Sequence, residues 1–248
     1  MVALAAVVVA LCVVPAKAQP LAGNVEEPAA PTVDETLAAA LEGDGDAQLT
    51  MAAMYEELDS LEDAVRWYRK AAEQGRADAE FKLGYFHTVG GGGLARDMNE
   101  AAAWYKKAAE QNQSGAQYNL AVCYEKGLGV ERDESSALSW YRKAAALGDT
   151  YAQKAVGVIH HKGRGVKADL AEAYAWYLLA ASQKNADAAR LLKAVTSSLG
   201  AKDLERGRRR GDELSMRIYQ RTLESLKKAP PEQKLPAKKK EPARDFLQ

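Results

Sequence analysis

Cysteine is nearly missing from this 248-residue chain, which has only Cys12 and Cys123. Cys12 lies in an apolar leader, so one cysteine is left for the body and an internal disulfide is excluded there. The body must then be held together by its core, and Cys123 reads as a small buried apolar residue rather than a reactive thiol. Histidine is as scarce, with His87, His160 and His161. Adjacent His160 and His161 leave a helix in different directions. No Cys or carboxylate stands at ligand spacing beside them, so no metal site is expected. No Ser/His/Asp arrangement is tied together by spacing, and the carboxylates are spread over positions that read as solvated. No catalytic residue and no cofactor are therefore expected. No Gly-Lys-Ser/Thr closes a glycine-rich stretch and no strand-like run precedes one, which excludes a phosphate-cradling loop.

An excess of charge is missing too. The 34 basic and 34 acidic residues cancel, giving no overall attraction to nucleic acid or to a membrane. The cancellation is uneven along the chain. From Lys227 onward seven Lys/Arg stand against three Asp/Glu, net +4, whereas residues 19–226 hold 26 basic and 31 acidic residues, net −5. Residues 227–248 have the composition of a disordered Pro/Lys tail, suited to contact an anionic surface or to serve as a spacer. An apolar run of the roughly 20 residues that span a bilayer is also missing. The run at residues 2–14 has the length of a secretory signal core, and Ala16-Lys-Ala18 supplies the small-x-small pattern of a cut before Gln19. Residues 1–18 are expected to be a signal peptide. The mature chain is then an exported protein without a transmembrane segment, in a bacterial periplasm; the competing reading is an anchor left uncut.

What the sequence has is repetition. Trp-Tyr pairs stand at Trp67-Tyr68, Trp104-Tyr105, Trp140-Tyr141 and Trp176-Tyr177, spaced by 37, 36 and 36 residues. Each is preceded at three residues by Ala64, Ala101, Ala137 or Ala173 and followed by Ala71-Ala72, Ala108-Ala109, Ala144-Ala145 or Ala180-Ala181. Offsets of 0, 3, 4, 7 and 8 define one face of a helix, and such a face reads as core rather than as a cofactor stripe. A second pattern precedes each of the last three: Ala79…Leu83-Gly84…His87, Ala116…Leu120-Ala121…Tyr124 and Ala152…Val156-Gly157…His160. A position that takes Tyr or His is a packing position with a polar tip. Gly inside a helix costs about 1 kcal/mol against Ala, so Gly84 and Gly157 mark a close crossing of the paired helix.

Three loops join these helices: Gly90-Gly-Gly-Gly-Leu-Ala-Arg-Asp97, Gly127-Leu-Gly-Val-Glu-Arg-Asp133 and Gly163-Arg-Gly-Val-Lys-Ala-Asp169. The first Gly of each is expected to be a left-handed C-cap. Leu94, Val130 and Val166 are expected to tuck into the core, and the closing Asp to cap the next helix. Asp97 with Glu100 and Asp169 with Glu172 have capping-box spacing. The first unit lacks the loop and turns tightly through Glu56-Glu-Leu-Asp-Ser60.

The recurring A-x-x-x-L-G-x-x-Y-x-x-G-x-G-V-x-x-D-x-x-x-A-x-x-W-Y-x-K-A-A-x-x-G, matched almost throughout by Ala116–Gly148, resembles the Sel1-like repeat family, the longer-loop relative of tetratricopeptide repeats. The resemblance covers about residues 33–226. It implies an all-α fold, a right-handed α-solenoid of antiparallel helix pairs, and the role of an adaptor or scaffold. The expected division is a flexible linker at 19–32, a partial unit at 33–45, units at 46–77, 78–114, 115–150 and 151–186, and capping helices at 187–226. Within these caps Leu204, Leu214, Ile218 and Leu226 are available to cover the open end, and Arg206, Arg208, Arg209 and Arg210 extend the basic surface of the tail.

In such a stack the first helices line the concave face. Residues two before and two after the central Leu then project into the groove: Phe81 and Tyr85, Tyr118 and Val122, Lys154 and Val158, with His161 near the rim. Aromatic anchors favour a protein or peptide partner; the competing reading packs these rings between repeats. The expected function is an exported, non-enzymatic scaffold for protein binding. The alternative, from cysteine-rich members of the same family, is a β-lactam- or cell-wall-binding or hydrolysing enzyme. Those members carry a disulfide in each repeat and this chain carries none.

Overall fold

The structure, a computed structural model, describes residues 31–228 of the chain. The expected leader, the linker up to residue 30 and the tail from residue 229 lie outside the described residues. No proline occurs between Pro31 and Pro230, so no helix in this stretch meets a residue without an N–H. A compact unit begins at Val33. Its helices are α1 (Val33–Glu42), α2 (Gly45–Glu57), α3 (Leu61–Glu73), α4 (Ala77–Val89), α5 (Met98–Glu110), α6 (Ser114–Lys126), α7 (Glu134–Ala146), α8 (Thr150–Lys162), α9 (Leu170–Ser182), α10 (Ala186–Ser198) and α11 (Ala201–Lys228). Among the described residues there is no strand, only an isolated bridge between Gly91 and Leu94. Helices α2–α10 each have 13 residues. Each second helix (α3, α5, α7, α9) packs on its own first helix and on the first helix that follows, so the pairs stack as a solenoid.

The joints obey the expected chemistry with two corrections. Gly127 and Gly163 end α6 and α8 in the left-handed region, whereas Gly90, at φ 77 and ψ 142, does not. The longer Gly90–Asp97 loop forms the Gly91–Leu94 bridge there instead. Asp97, Asp133 and Asp169 each accept hydrogen bonds from the second and third residues beyond them. The capping box is only half made. The backbone N–H of Asp97, Asp133 and Asp169 donates to the carbonyl of His87, Tyr124 and His160 at 2.8–2.9 Å, so Glu100 and Glu172 are not needed there. The third glycine of the first loop and the second glycine of the other two approach the start of the preceding second helix. A Cβ on Gly92 would lie 2.6 Å from the Leu61 carbonyl oxygen, and one on Gly129 would lie 1.9 Å from that of Met98.

The core is built from the repeated residues. Tyr68, Tyr105, Tyr141 and Tyr177 are fully buried, as are Ala64, Ala101, Ala137 and Ala173. The tyrosine rings explain the helical glycines: a Cβ on Gly84 would come within 2.7 Å of the Tyr105 ring, and one on Gly157 within 2.5 Å of Tyr177. Trp67, Trp104 and Trp140 sit only half-buried at the core edge. Each is covered by the lysine one turn on, with Lys70, Lys107 and Lys143 at 4.2, 3.9 and 3.6 Å from the ring centres, within cation–π range. Cys123 is buried, and burial pushes its thiol up to about 12, which leaves no thiolate at neutral pH.

The ends are closed differently. Helix α1 packs on α2 as the second helix of a partial unit. Helix α11 runs along α9 and touches α7 rather than pairing with α10. Gly207 lies against Tyr174 and the Ala171 carbonyl, and Gly211 against Leu178. Leu214 is buried while Ile218 and Leu204 are partly so, and Trp176 is buried beneath this helix. Leu226, expected in the cap, is 41% exposed because α11 has passed beyond α9 by then. The arginine cluster is likewise divided. Arg206 pairs with Asp169 at 2.8 Å and Arg210 with Glu172 at 3.0 Å, so these two guanidiniums fasten the helix instead of extending a basic surface.

Candidate functional site: the face of the first helices

Helices α2, α4, α6 and α8 are capped at Asp44, Arg76, Gln113 and Asp149. Counting from these caps puts equivalent side chains in register. The fourth residues are Gln48, Glu80, Gln117 and Gln153, all buried. The amides of Gln48, Gln117 and Gln153 donate to the carbonyls of Ala40, Ala109 and Ala145 at 3.0–3.3 Å, satisfying acceptors at the end of the preceding helix. A glutamine at the C-cap of the following helix completes the bridge: Gln74 donates to Gln48, Gln111 to Glu80 and Gln183 to Gln153, at 2.7–3.0 Å. In the third unit Leu147 holds that C-cap position, and Gln117 Oε1 is buried without a protein partner. Leu147→Gln is expected to raise stability by about 1 kcal/mol, read as a higher urea midpoint. An unchanged midpoint would contradict this bridge.

The fifth residue of α4, α6 and α8 closes on the second residue of the next first helix. Phe81 lies over Gly115, where an added Cβ would meet its ring at 3.1 Å. The Tyr118 ring stands 6.2 Å from Tyr151, and Lys154 Nζ lies 3.4 Å from Asp187. Two expected groove residues are therefore corrected: Tyr118 and Val122 are only 4% and 3% exposed. Tyr118 is wedged between Tyr141 and Tyr151, because the stacking of pairs brings the next first helix over that position. Phe81, Tyr85, Lys154, Val158 and His161 keep partial exposure.

The twelfth residue of each first helix meets the phenol of the repeat tyrosine. Tyr68 donates to Glu56 at 2.5 Å and Tyr141 to Glu125 at 2.7 Å, while Tyr105 meets Thr88 at 2.9 Å. His161 holds the same position, 3.4 Å from the Tyr177 hydroxyl and edge-on to its ring. It therefore packs inward more than a rim residue would. Burial, then the glutamate beside each, pushes the Tyr68 and Tyr141 phenols far above their ordinary range, so they stay protonated donors. The two glutamates also pair across repeats: Lys82 reaches Glu56 at 2.7 Å, and Arg164 reaches Glu125 at 2.7 Å. Tyr85 adjoins the first cluster, its phenol raised by burial and by the Glu56 charge. Sequence reasoning missed these acid–base–tyrosine clusters, although Glu56, Thr88, Glu125 and His161 fall in register once the caps are aligned.

His160 is the one buried histidine. Arg142 donates to its Nε2 at 3.0 Å, and burial, opposed by Glu172 and reinforced by Arg142, lowers its pKa. The unfolded chain then binds the proton more readily. Stability is full above the unfolded histidine value of about 6.5 and is lost as pH falls below it. His160→Tyr, which copies Tyr124, is expected to flatten the dependence between about pH 7 and 5. Identical slopes in thermal melts of the two proteins would contradict the assignment.

Among the described residues no three His, Cys, Asp or Glu side chains cluster as metal ligands, and no helix is long and apolar enough to cross a membrane. The architecture that emerges is an α-solenoid of helix pairs whose first helices present a continuous face. The chain belongs to the Sel1 repeat family, whose model matches residues 46–75, 77–113, 114–149 and 150–185. It is similar to a Sel1 repeat protein from Oxalobacter formigenes at 29% identity, with a TM-score of 0.63 over 73% of this chain and 76% of that one. It is also similar to c5321, a protective antigen of uropathogenic Escherichia coli with the same repeat fold. There identity is 25% and the TM-score 0.50, over 84% of this chain and 53% of that one, so the match spans about half of the antigen. No curated protein matches the chain.

Proposed function

We propose that the chain is a non-enzymatic scaffold that binds a protein or peptide through the face of its first helices, between the Glu56–Lys82 pair and the Glu125–Arg164 pair. One observation carries this reading. Partly exposed Tyr85 lies beside the half-buried Glu56–Lys82 pair, and partly exposed Phe81 stands one turn before it on the same helix, on a surface tied together by ion pairs between repeats. Rigid aromatic anchors ringed by charge are what a peptide segment needs, and a surface fixed by packing loses little freedom on binding. The leader pattern at residues 1–18 supports export, and with it a partner in the bacterial envelope.

Phe81→Ala together with Tyr85→Ala is expected to weaken partner capture at least tenfold, about 1.4 kcal/mol, while the far-ultraviolet helical signal stays unchanged. Tyr118 is excluded from this test because its ring is core. Capture unaffected by the pair would sink the proposal. Turnover of a chromogenic β-lactam by the purified chain would replace it with the hydrolase alternative.

A further inference from the structure

The end of α11 does not belong to the solenoid. Gly207, Gly211, Leu214 and Ile218 seat the helix on α9, and from Tyr219 to Lys227 every residue is exposed. Arg217, Ile218 and Arg221 line the side turned toward Ala146 and Trp176. On the other side stand Met216, Tyr219, Leu223 and Leu226, exposed by 56, 60, 37 and 41%. Their spacing of three, four and three residues is the a/d repeat of a coiled-coil seam. Among the described residues nothing covers this stripe.

We propose that the cover is the same stripe of a second copy, packed antiparallel around a twofold axis. A seam that repeats a, d, a, d is self-complementary. Setting Tyr219 opposite Leu223 puts Met216 opposite Leu226. The flanking Ser215, Gln220 and Thr222 bear no charge, so nothing beside the seam repels. Charge selects the direction. Asp212 precedes the stripe and Lys227 follows it, both exposed. An antiparallel pair brings the acidic end of one helix within about one turn of the basic end of the other, whereas a parallel pair sets Lys227 against Lys227. Four side chains per copy make a small interface, so the dimer is dissociable, with a Kd on the order of 100 µM.

Sedimentation equilibrium of the full chain tests this. The expected result is a monomer–dimer equilibrium that weakens at least tenfold in Leu223→Glu and is unchanged in Ser225→Glu, which lies off the stripe. Every residue altered is exposed, so the helical signal of both variants stays that of the parent. Direction is read by cross-linking in a Cys12→Ala background, where Cys123 is buried. The Tyr219→Cys and Leu223→Cys proteins are expected to cross-link to each other and not to themselves. A chain that stays monomeric to about 1 mM, a dimer indifferent to Leu223→Glu, or self-cross-linking by either cysteine protein overturns the proposal. So does capture of the monomer's helix end by anionic vesicles.

Discussion

Gly129→Ala is expected to destabilise the third repeat strongly. The residue has φ 68, and an added Cβ would lie 1.9 Å from the Met98 carbonyl oxygen and 2.3 Å from its carbon. Both are backbone atoms of the start of α5, so relief requires moving a helix rather than turning a side chain. Left-handed backbone costs a non-glycine residue about 1–2 kcal/mol, and forced repacking adds about 1–3. A loss of about 3 kcal/mol or more lowers the melting temperature of a domain this size by roughly 6–12 °C. Gly148→Ala isolates the first contribution. Its φ is 91 but nothing lies within 4 Å of the added Cβ, so a drop of only about 1–2 kcal/mol is expected. Equal melting temperatures for the two variants would show that the close approach to Met98 does not matter.

Ending the chain at Leu199 is expected to open the last repeat. Helix α11 covers Trp176 and Tyr174, buries Leu214 and half-buries Ile218 and Leu204. Losing three such side chains removes roughly 5 kcal/mol of apolar burial. The Arg206–Asp169 and Arg210–Glu172 pairs go with it, although pairs this exposed add less than about 1 kcal/mol each. Arg206 also holds the Asp169 carboxyl below the usual carboxylate range. The stability from that bond is present above the unfolded carboxylate value and is lost in acid as pH falls through the folded one. Hydrogen exchange reads the result: amides of α9 are expected to exchange at least a hundredfold faster in the shortened chain, with α2–α5 little changed, as in a stack where each repeat contacts only its neighbours. Unchanged protection of α9 would mean that α11 is ornament rather than cap.

Much of this architecture is legible in the letters. Trp-Tyr pairs 37 and 36 residues apart give the helix pairs. Asp97, Asp133 and Asp169 start the second helices because a carboxylate accepts from free N–H groups whatever surrounds it. Tyr177 and Gly157 are local needs of a single crossing. What escaped the sequence depends on neighbours one repeat away. Period alone puts Phe81, Tyr118 and Lys154 on one face, but it does not say that each meets Gly115, Tyr151 or Asp187 of the next helix, nor that only Tyr118 is buried by it. Tyr118 was thus expected in an open groove and lies in a wedge. The buried Gln117, one broken bridge among four, shows only when four caps are aligned together. The course of α11 along α9 had a signal in Gly207-Arg-Arg-Arg-Gly211, two glycines one turn apart where a second helix approaches closely.

The first-helix face is proposed as the protein-binding surface. The most direct measurement places a photo-cross-linking amino acid in living cells at Tyr85 or Val158, and at Arg66 or Lys106 on the second helices as controls. One discrete protein adduct is expected from Tyr85 and Val158, and none from Arg66 or Lys106. Adducts confined to the second-helix positions would contradict it.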